Sequence, residues 1–293
     1  MPKSGFVAIV GRPNVGKSTL LNALLGEKIA IISHKPQTTR KKALAIKTTK
    51  NAQVVFVDTP GVHRPRTKLG EYMNKVVSET ITDVDAAILI VDATKEINEN
   101  EEKIISELSS KKIPTILAIN KIDLIKKEML LPLIDKYQKL MDFVAIIPIS
   151  AKLNDNVGAL WEETLKLMPE GPFYYPEDQL TDANIREICA EIVREKTLRL
   201  LEDEVPHGIM VEIEEMKEGD RLVRIFANIY CEKASHKAII IGKNGEMLKK
   251  IGTYAREDME KFLEKKVYLE LWVKVKDDWR NKSNLLKSFG FEG

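Results

Sequence analysis

Cysteine is nearly absent from this chain and histidine is scarce. The two cysteines, Cys189 and Cys231, lie far apart, and the four histidines show no paired spacing. Structural zinc sites need Cys and His clustered at short intervals, and disulfide-stapled domains need many cysteines. Neither class fits, so both thiols are expected to be small buried groups in a reducing cytosol. Long apolar runs are missing as well. The opening MPKSGFVAIVGRPNVGKS is apolar for only a few residues before a glycine turn, too short for a signal-peptide core. No segment reaches the roughly 20 apolar residues that span a bilayer.

Net charge is small, +2, but it is unevenly spread. Residues 1–176 hold 25 Lys+Arg and 20 Asp+Glu, residues 177–215 hold 4 and 12, and residues 216–293 hold 17 and 12. A basic final third after an acidic stretch is compatible with nucleic acid, although a solvated surface gives the same pattern.

At 293 residues the chain is long enough for two cores. The first part alternates strand-like and helix-like runs: FVAIV, a helix from Lys17, the pair ALAIKTT and QVVFVD, then AAILIVD, TILAIN and FVAIIPIS, with helical patterns near 69–80, 99–110, 127–140 and 156–168. Strands as apolar as AAILIVD and TILAIN belong in a parallel sheet covered on both faces. The fold expected is α/β and doubly wound, with one antiparallel edge from the pair at 43–48 and 53–57. MPEGPFYYPEDQLTD, Met168 to Asp182, reads as a linker, after which Thr181 or Asp182 is expected to cap a helix running to about Leu201. The expected division is 1–172, a linker at 173–182, and 183–293.

The second part has another rhythm. Ile209, Val211 and Ile213 alternate with other residues, as do Val223, Ile225, Ala227, Ile229 and Cys231, and Val267, Leu269, Leu271, Val273 and Val275, each set giving one apolar face. Between the later strands lie a short helix from Lys233 to Ile241, the loop GKNG, and a helix from Glu246 whose Leu248, Ile251, Ala255, Met259 and Phe262 share one side. The order is α-β-β-α-α-β.

GRPNVGKS, Gly11 to Ser18, has the form G-x-x-x-x-G-K-[ST] between a strand and a helix. Gly11 and Gly16 let the backbone turn tightly, so that the main chain of Arg12, Pro13, Asn14, Val15 and Thr19 lies around a phosphate, with the helix N-terminus adding positive charge. Lys17 suits the β- and γ-phosphates, and Ser18 suits Mg²⁺. Downstream come DTPG (Asp58, Thr59, Pro60, Gly61), NKID with Asn120, Lys121 and Asp123, and SAK (Ser150, Ala151, Lys152), each at the carboxyl end of a strand. Asp58 is placed to hold Mg²⁺, and Gly61 to turn its N–H toward a γ-phosphate. Asp123 offers guanine N1–H and its 2-amino group two acceptors, and SAK offers backbone N–H to guanine O6.

These four motifs in order resemble the translation-factor class of P-loop GTPases over about residues 5–170. PQTTR, Pro36 to Arg40, is similar to the switch of the group containing Era, TrmE and their relatives, and that resemblance points to Thr39, less directly Thr38, as the residue closing on Mg²⁺ and the γ-phosphate. Val62 follows Gly61 where Ras-like GTPases carry a water-positioning glutamine. Slow intrinsic hydrolysis is therefore expected. The resemblance also suggests that Asn14 helps hold K⁺; an ordinary loop asparagine is the alternative.

GKNG lacks a Ser or Thr after its lysine and follows a helix. It has the form G-x-x-G and, within α-β-β-α-α-β, resembles a type II KH domain over about residues 180–280. That fold clamps the backbone of unpaired nucleotides, with Gly242, Lys243, Asn244 and Gly245 at the phosphates, Lys249 extending the field, and Ile239, Ile240 and Ile241 flooring a groove. A single P-loop joined to such a domain resembles the Era family. The resemblance implies GTP and GDP with Mg²⁺, and a KH domain on single-stranded RNA at the 3′ end of small-subunit ribosomal RNA. It further implies a monomeric cytoplasmic protein in 30S subunit assembly. Apolar Trp279, Leu285, Leu286 and Phe289 in the tail raise two readings: peripheral contact with the inner membrane, or a helix packed on the KH domain. A GTP-dependent tRNA-modifying enzyme is a rival, but no second cluster of catalytic residues is seen for it.

Overall fold

The computed structural model describes residues 1–26, 40, 43–62, 65–201 and 208–291. The switch segment holding Thr38 and Thr39 lies outside the described residues.

The first unit is built on β1 (Lys3–Val10), β2 (Ala43–Thr49), β3 (Ala52–Asp58), β4 (Ala86–Asp92), β5 (Thr115–Asn120) and β6 (Ala145–Pro148), in the order β2-β3-β1-β4-β5-β6. β2 runs antiparallel to β3, and the remaining pairs are parallel. Alternation along β1 decides the layers. Val7 and Ile9 face α1 (Lys17–Leu25) and α5 (Val157–Leu167), while Ala8 and Val10 face α2 (Lys68–Thr82), α3 (Glu99–Ser110) and α4 (Leu130–Gln138). β3, β4 and β5 are buried along their whole length, as expected for a sheet covered on both faces. The motif loops thus emerge together at the carboxyl edge.

The second unit is α6 (Ile185–Leu200), β7 (Met210–Glu218), β8 (Leu222–Cys231), α7 (Ala234–Ile241), α8 (Glu246–Leu263), β9 (Lys266–Val275) and α9 (Ser283–Ser288). β8 is central, antiparallel to β7 and parallel to β9. One sheet face packs on α6 and α8 through Val193, Ile225, Ile251, Ala255 and Met259, and Cys189 and Cys231 are buried there as free thiols. The helix α8 stripe departs from expectation at its end, where Phe262 is 44% exposed and borders the cleft between the two units.

The proline-rich linker is a packed strap. Gln53, fully buried in β3, accepts from the amides of Tyr174 and Tyr175 and donates to Tyr175 O. The Tyr174 ring lies tilted against Phe6, centroids 4.9 Å apart, and Ile46 N–H donates to Leu180 O. This corrects the helix cap. Thr181 Oγ1 donates to Leu44 O and Asp182 Oδ1 accepts from Leu44 N–H, so both side chains are engaged with β2. Asn184 caps α6 instead, in a capping box with Glu187.

A seam joins the units. Leu69 and Met73 of α2 are buried with Tyr230, Trp279, Leu286, Phe289 and Phe291, and Tyr72 meets Phe291 edge-on at 5.6 Å. Trp279 is fully buried and donates through Nε1 to Gly208 O. Arg40 crosses the seam: Nη1 donates to Ile209 O at 2.5 Å, and the guanidinium lies 5.6 Å above the Trp279 ring. The apolar tail is therefore packed inward, against α2 as well as against the second unit.

Candidate nucleotide site and nucleic-acid interface

The loop after β1 adopts the turn its glycines were expected to permit. Gly11 has φ 154°, Asn14 φ 65° and Gly16 φ 105°. A Cβ on Gly16 would lie 2.3 Å from Asn120 Nδ2, so glycine is required there by space as well as by backbone. Asn120 is the hub of the site. Its Nδ2 donates to Val15 O at 2.8 Å, and its Oδ1 accepts from Ala151 N–H at 2.9 Å. Three motifs far apart in sequence are thereby fixed to one buried amide. The Ala151 N–H, one of the SAK amides expected at guanine O6, is thus engaged with Asn120 in this structure. Asp123 and Lys152 are exposed beside it, while Ser150 is buried.

Lys17 is buried, and its Nζ donates to Gly11 O and Arg12 O, back onto its own loop. Burial lowers its pKa to about 8, against the opposing charge of Asp58. Asp58 is buried at the end of β3. Gly61 approaches the first loop so closely that a Cβ would sit 2.7 Å from Pro13 N, and Val62 N–H donates to Gly11 O at 3.3 Å. Thr59 is buried with its hydroxyl on Ile9 O. The phosphate loop, DTPG, NKID and SAK are therefore one assembly. The Ser18 hydroxyl and the Asp58 carboxylate are hard oxygen donors of the kind Mg²⁺ takes.

The supporting residues Asp92, Thr94, Glu101 and Tyr137 escaped the sequence reading. Lys121, at φ 68°, donates to Asn14 O and to Asp92 Oδ2 at 2.6 Å. Burial opposes ionisation of Asp92, yet hydrogen bonds from Lys121 and Thr94 hold its carboxyl below the usual range. Its position at the carboxyl end of β4 was the available signal. The Arg12 guanidinium lies 2.7 Å from buried Glu101 of α3, whose other oxygen accepts from Tyr137 OH. Burial raises the Glu101 pKa. Arg12 thus anchors the loop through its side chain and leaves its main chain to the site. Nothing local distinguishes Glu101 from an ordinary first-turn glutamate.

The second loop is open. Gly242 has φ 73° and a Cβ there would lie 2.7 Å from Met247 Cβ, whereas Gly245 at φ 80° has open space. Asn244 forms the left-handed tip at φ 52°, and Lys243, Asn244 and Lys249 are exposed. One expectation is corrected. Ile239 is 50% exposed and Ile241 half-buried, but Ile240 is fully buried in the core. Successive helical residues point about 100° apart, so only part of an Ile-Ile-Ile run can line a groove.

Residues 6–121 match the family described as 50S ribosome-binding GTPase, and residues 204–280 match the KH domain family. The chain is 55% identical over 291 residues to the GTPase Era of Ruminiclostridium cellulolyticum, covering 99% of this chain and 98% of that one. It is 52% identical over 293 residues to the GTPase Era of Clostridium kluyveri, covering both completely. Among solved structures, it superposes with TM-score 0.97, 43% identity and complete coverage of both chains on Era in complex with MgGDPNP and nucleotides 1506–1542 of 16S ribosomal RNA. An Aquifex aeolicus Era variant bound to GDP and aluminium fluoride gives TM-score 0.96 at 42% identity, covering 99% of this chain and all of that one.

Proposed function

The chain belongs to the Era family of KH-domain GTPases, and on that premise we propose that it is a switch that binds the single-stranded 3′ end of 16S ribosomal RNA and assists assembly and maturation of the 30S subunit. It hydrolyses GTP to GDP and phosphate. The observation that carries the reading is the full-length likeness, at TM-score 0.97, to an Era that holds nucleotide and ribosomal RNA together.

In this reading residues 1–172 are the GTPase domain, 173–182 the linker and 183–293 the KH domain. Main-chain amides from Gly11 to Thr19 wrap the phosphates, and Lys17 leaves its loop carbonyls for the β- and γ-oxygens. Ser18, Asp58 and Thr39 hold Mg²⁺, which neutralises phosphate charge when bound. Thr59 and Pro60 carry the chain to Gly61, whose N–H meets the γ-phosphate. Val62 contributes no acid–base chemistry, so intrinsic turnover is slow. Asn120, Lys121, Asp123, Ser150, Ala151 and Lys152 frame guanine. K⁺ beside exposed Asn14 is part of the proposal, and equal GTPase rates in Na⁺ and K⁺ would remove it. Gly242 to Gly245, with Lys249, take the RNA backbone, and Ile239 and Ile241 border the groove in front of buried Ile240.

The seam supports coupling. The DTPG loop leads into α2, whose Leu69 and Met73 are buried against the tail of the KH domain, so movement of that loop bears directly on the domain that would hold RNA. The protein would act as a monomer in the cytoplasm, where its RNA is. Among the described residues no helix is long and apolar enough to cross a membrane, and the tail side chains that suggested peripheral contact are partly or fully buried.

The test is crosslinking in cells followed by sequencing of bound RNA. Reads should pile up at the 3′ end of 16S ribosomal RNA. Enrichment of tRNA, or no RNA, would sink the ribosomal reading.

A further inference from the structure

The tip of the phosphate loop is fastened from two sides. On one side the Arg12 guanidinium meets Glu101 of α3, with side chains 13% and 1% exposed. On the other, Lys121 Nζ donates to Asn14 O at 2.8 Å and meets Asp92 Oδ2 at 2.6 Å, with the lysine side chain 31% and the aspartate 6% exposed. The second fastening is the one water reaches, and its two members are unequal.

Asp92 is the fixed member. It ends β4 opposite Asn120 of β5, and Ala93 N–H donates to Asn120 O at 2.9 Å. Its Oδ1 accepts from Thr94 N–H at 2.9 Å and from the Thr94 hydroxyl at 2.7 Å, which leaves Oδ2 for Lys121. Lys121 is the adjustable member. A lysine stem gives up more rotamer freedom on being held than one bond to a neutral carbonyl returns. The Asn14 carbonyl alone therefore does not keep the ammonium in place. A buried carboxylate, already oriented and oppositely charged, does.

The nucleotide read for this site reaches from Asp123 at its base to Lys17 at its phosphates, so the two loops must keep their spacing. Two struts set it: Asn120 Nδ2 to Val15 O, and Lys121 Nζ to Asn14 O. The first belongs to a buried amide that Ala151 also fixes. The second depends on Asp92, to which none of the four motifs gives a role. We propose that Asp92 is a positioning residue for the guanine nucleotide: it pins Lys121 across the phosphate loop and so slows the release of bound GDP and GTP. This inference rests on the nucleotide reading above and concerns release, leaving the cleavage step to other residues.

The test follows release of fluorescent GDP from the full-length protein by stopped flow, beside single-turnover hydrolysis of GTP. Asp92→Asn keeps the side chain's shape and an acceptor for Thr94, and turns an amide N–H toward the ammonium. It should speed release about tenfold, with hydrolysis of bound GTP unchanged. Lys121→Gln should speed release at least as much, and the double variant should release no faster than Lys121→Gln alone, because Asp92 acts through Lys121. General loosening of the fold would instead make the two factors multiply. Thr94→Val, which loosens the carboxylate and keeps its charge, should speed release about threefold. Wild-type release from Asp92→Asn, or factors that multiply in the double variant, overturns the proposal. Where Asp92→Asn does not fold, wild-type release from Thr94→Val overturns it. If the wild-type protein holds no GDP, the nucleotide reading fails and takes the proposal with it; if it holds GDP and these variants release normally, only the role of Asp92 fails.

Discussion

The two glycine–lysine loops make the same local backbone and serve different surroundings. Both use left-handed residues to bring amides to one place, and both carry an asparagine in that conformation, Asn14 and Asn244. Around the first, every neighbour is fixed: Gly16 touches Asn120, Gly61 touches Pro13, and Lys17 is buried. Around the second, Gly245 faces open space and Lys243 is exposed. An enclosed loop suits a compact ligand with metal and strong charge; an open one suits a polymer that must enter sideways. The glycine pattern specifies the turn, and the enclosure specifies what the turn does.

The sharpest test of the enclosed site is Asp123→Asn. GTP affinity should fall on the order of a thousandfold or more, because hydrogen-bond-built sites reject mismatched partners strongly, and xanthosine triphosphate should bind in its place. Unchanged GTP affinity in a nucleotide titration would refute the assigned role. Next, alanine at equivalent glycines should separate the loops. Gly16→Ala meets both a disfavoured φ and the Asn120 side chain, so it should cost about 3 kcal/mol of stability and abolish nucleotide binding. Gly245→Ala meets only the φ and should cost about 1–2 kcal/mol. Equal costs in denaturant titrations would break the contrast. Third, Lys243→Asp with Asn244→Asp should weaken RNA binding about thirtyfold by removing and reversing phosphate contacts, with GTP affinity intact. Loss of both would mean that the loop is structural.

The smallest effect concerns pH. With Lys17 lowered to about 8 by burial, the free protein loses this proton above that pH, whereas the unfolded chain keeps it to about 10.4. Phosphate needs the protonated form. GTP affinity should therefore fall roughly eightfold from pH 7.5 to pH 9, while the stability of the nucleotide-free protein gains from this group over the same interval. A flat affinity profile in calorimetry would show that Lys17 stays charged in the free site.

Much of this was legible in advance because it is local. Alternation marked every strand of the KH sheet, and apolar runs marked the buried strands of the other. Four short motifs fell at strand ends, where the α/β topology collects them. Errors came where side chains answered to distant partners. Thr181 and Asp182 have good capping chemistry, but β2 claims both, leaving the cap to Asn184. Ile240 shares a composition with Ile239 and Ile241 and differs from them only in azimuth on α7.

By itself the sequence determined the two folds, the order of the four short motifs at the strand ends, and the distinction between a loop with a hydroxyl after its lysine and one without. These depend on contacts within a few residues, where periodicity and backbone preference act. Tertiary structure alone decided that Asn120 joins three motifs, that Glu101 holds Arg12, that Trp279 is sealed in a seam, and that α2 bears on the tail of the second domain. Such pairings cross long stretches of chain. Each adds little energy alone, and which of many chemically equivalent residues makes them is settled only when the whole core packs.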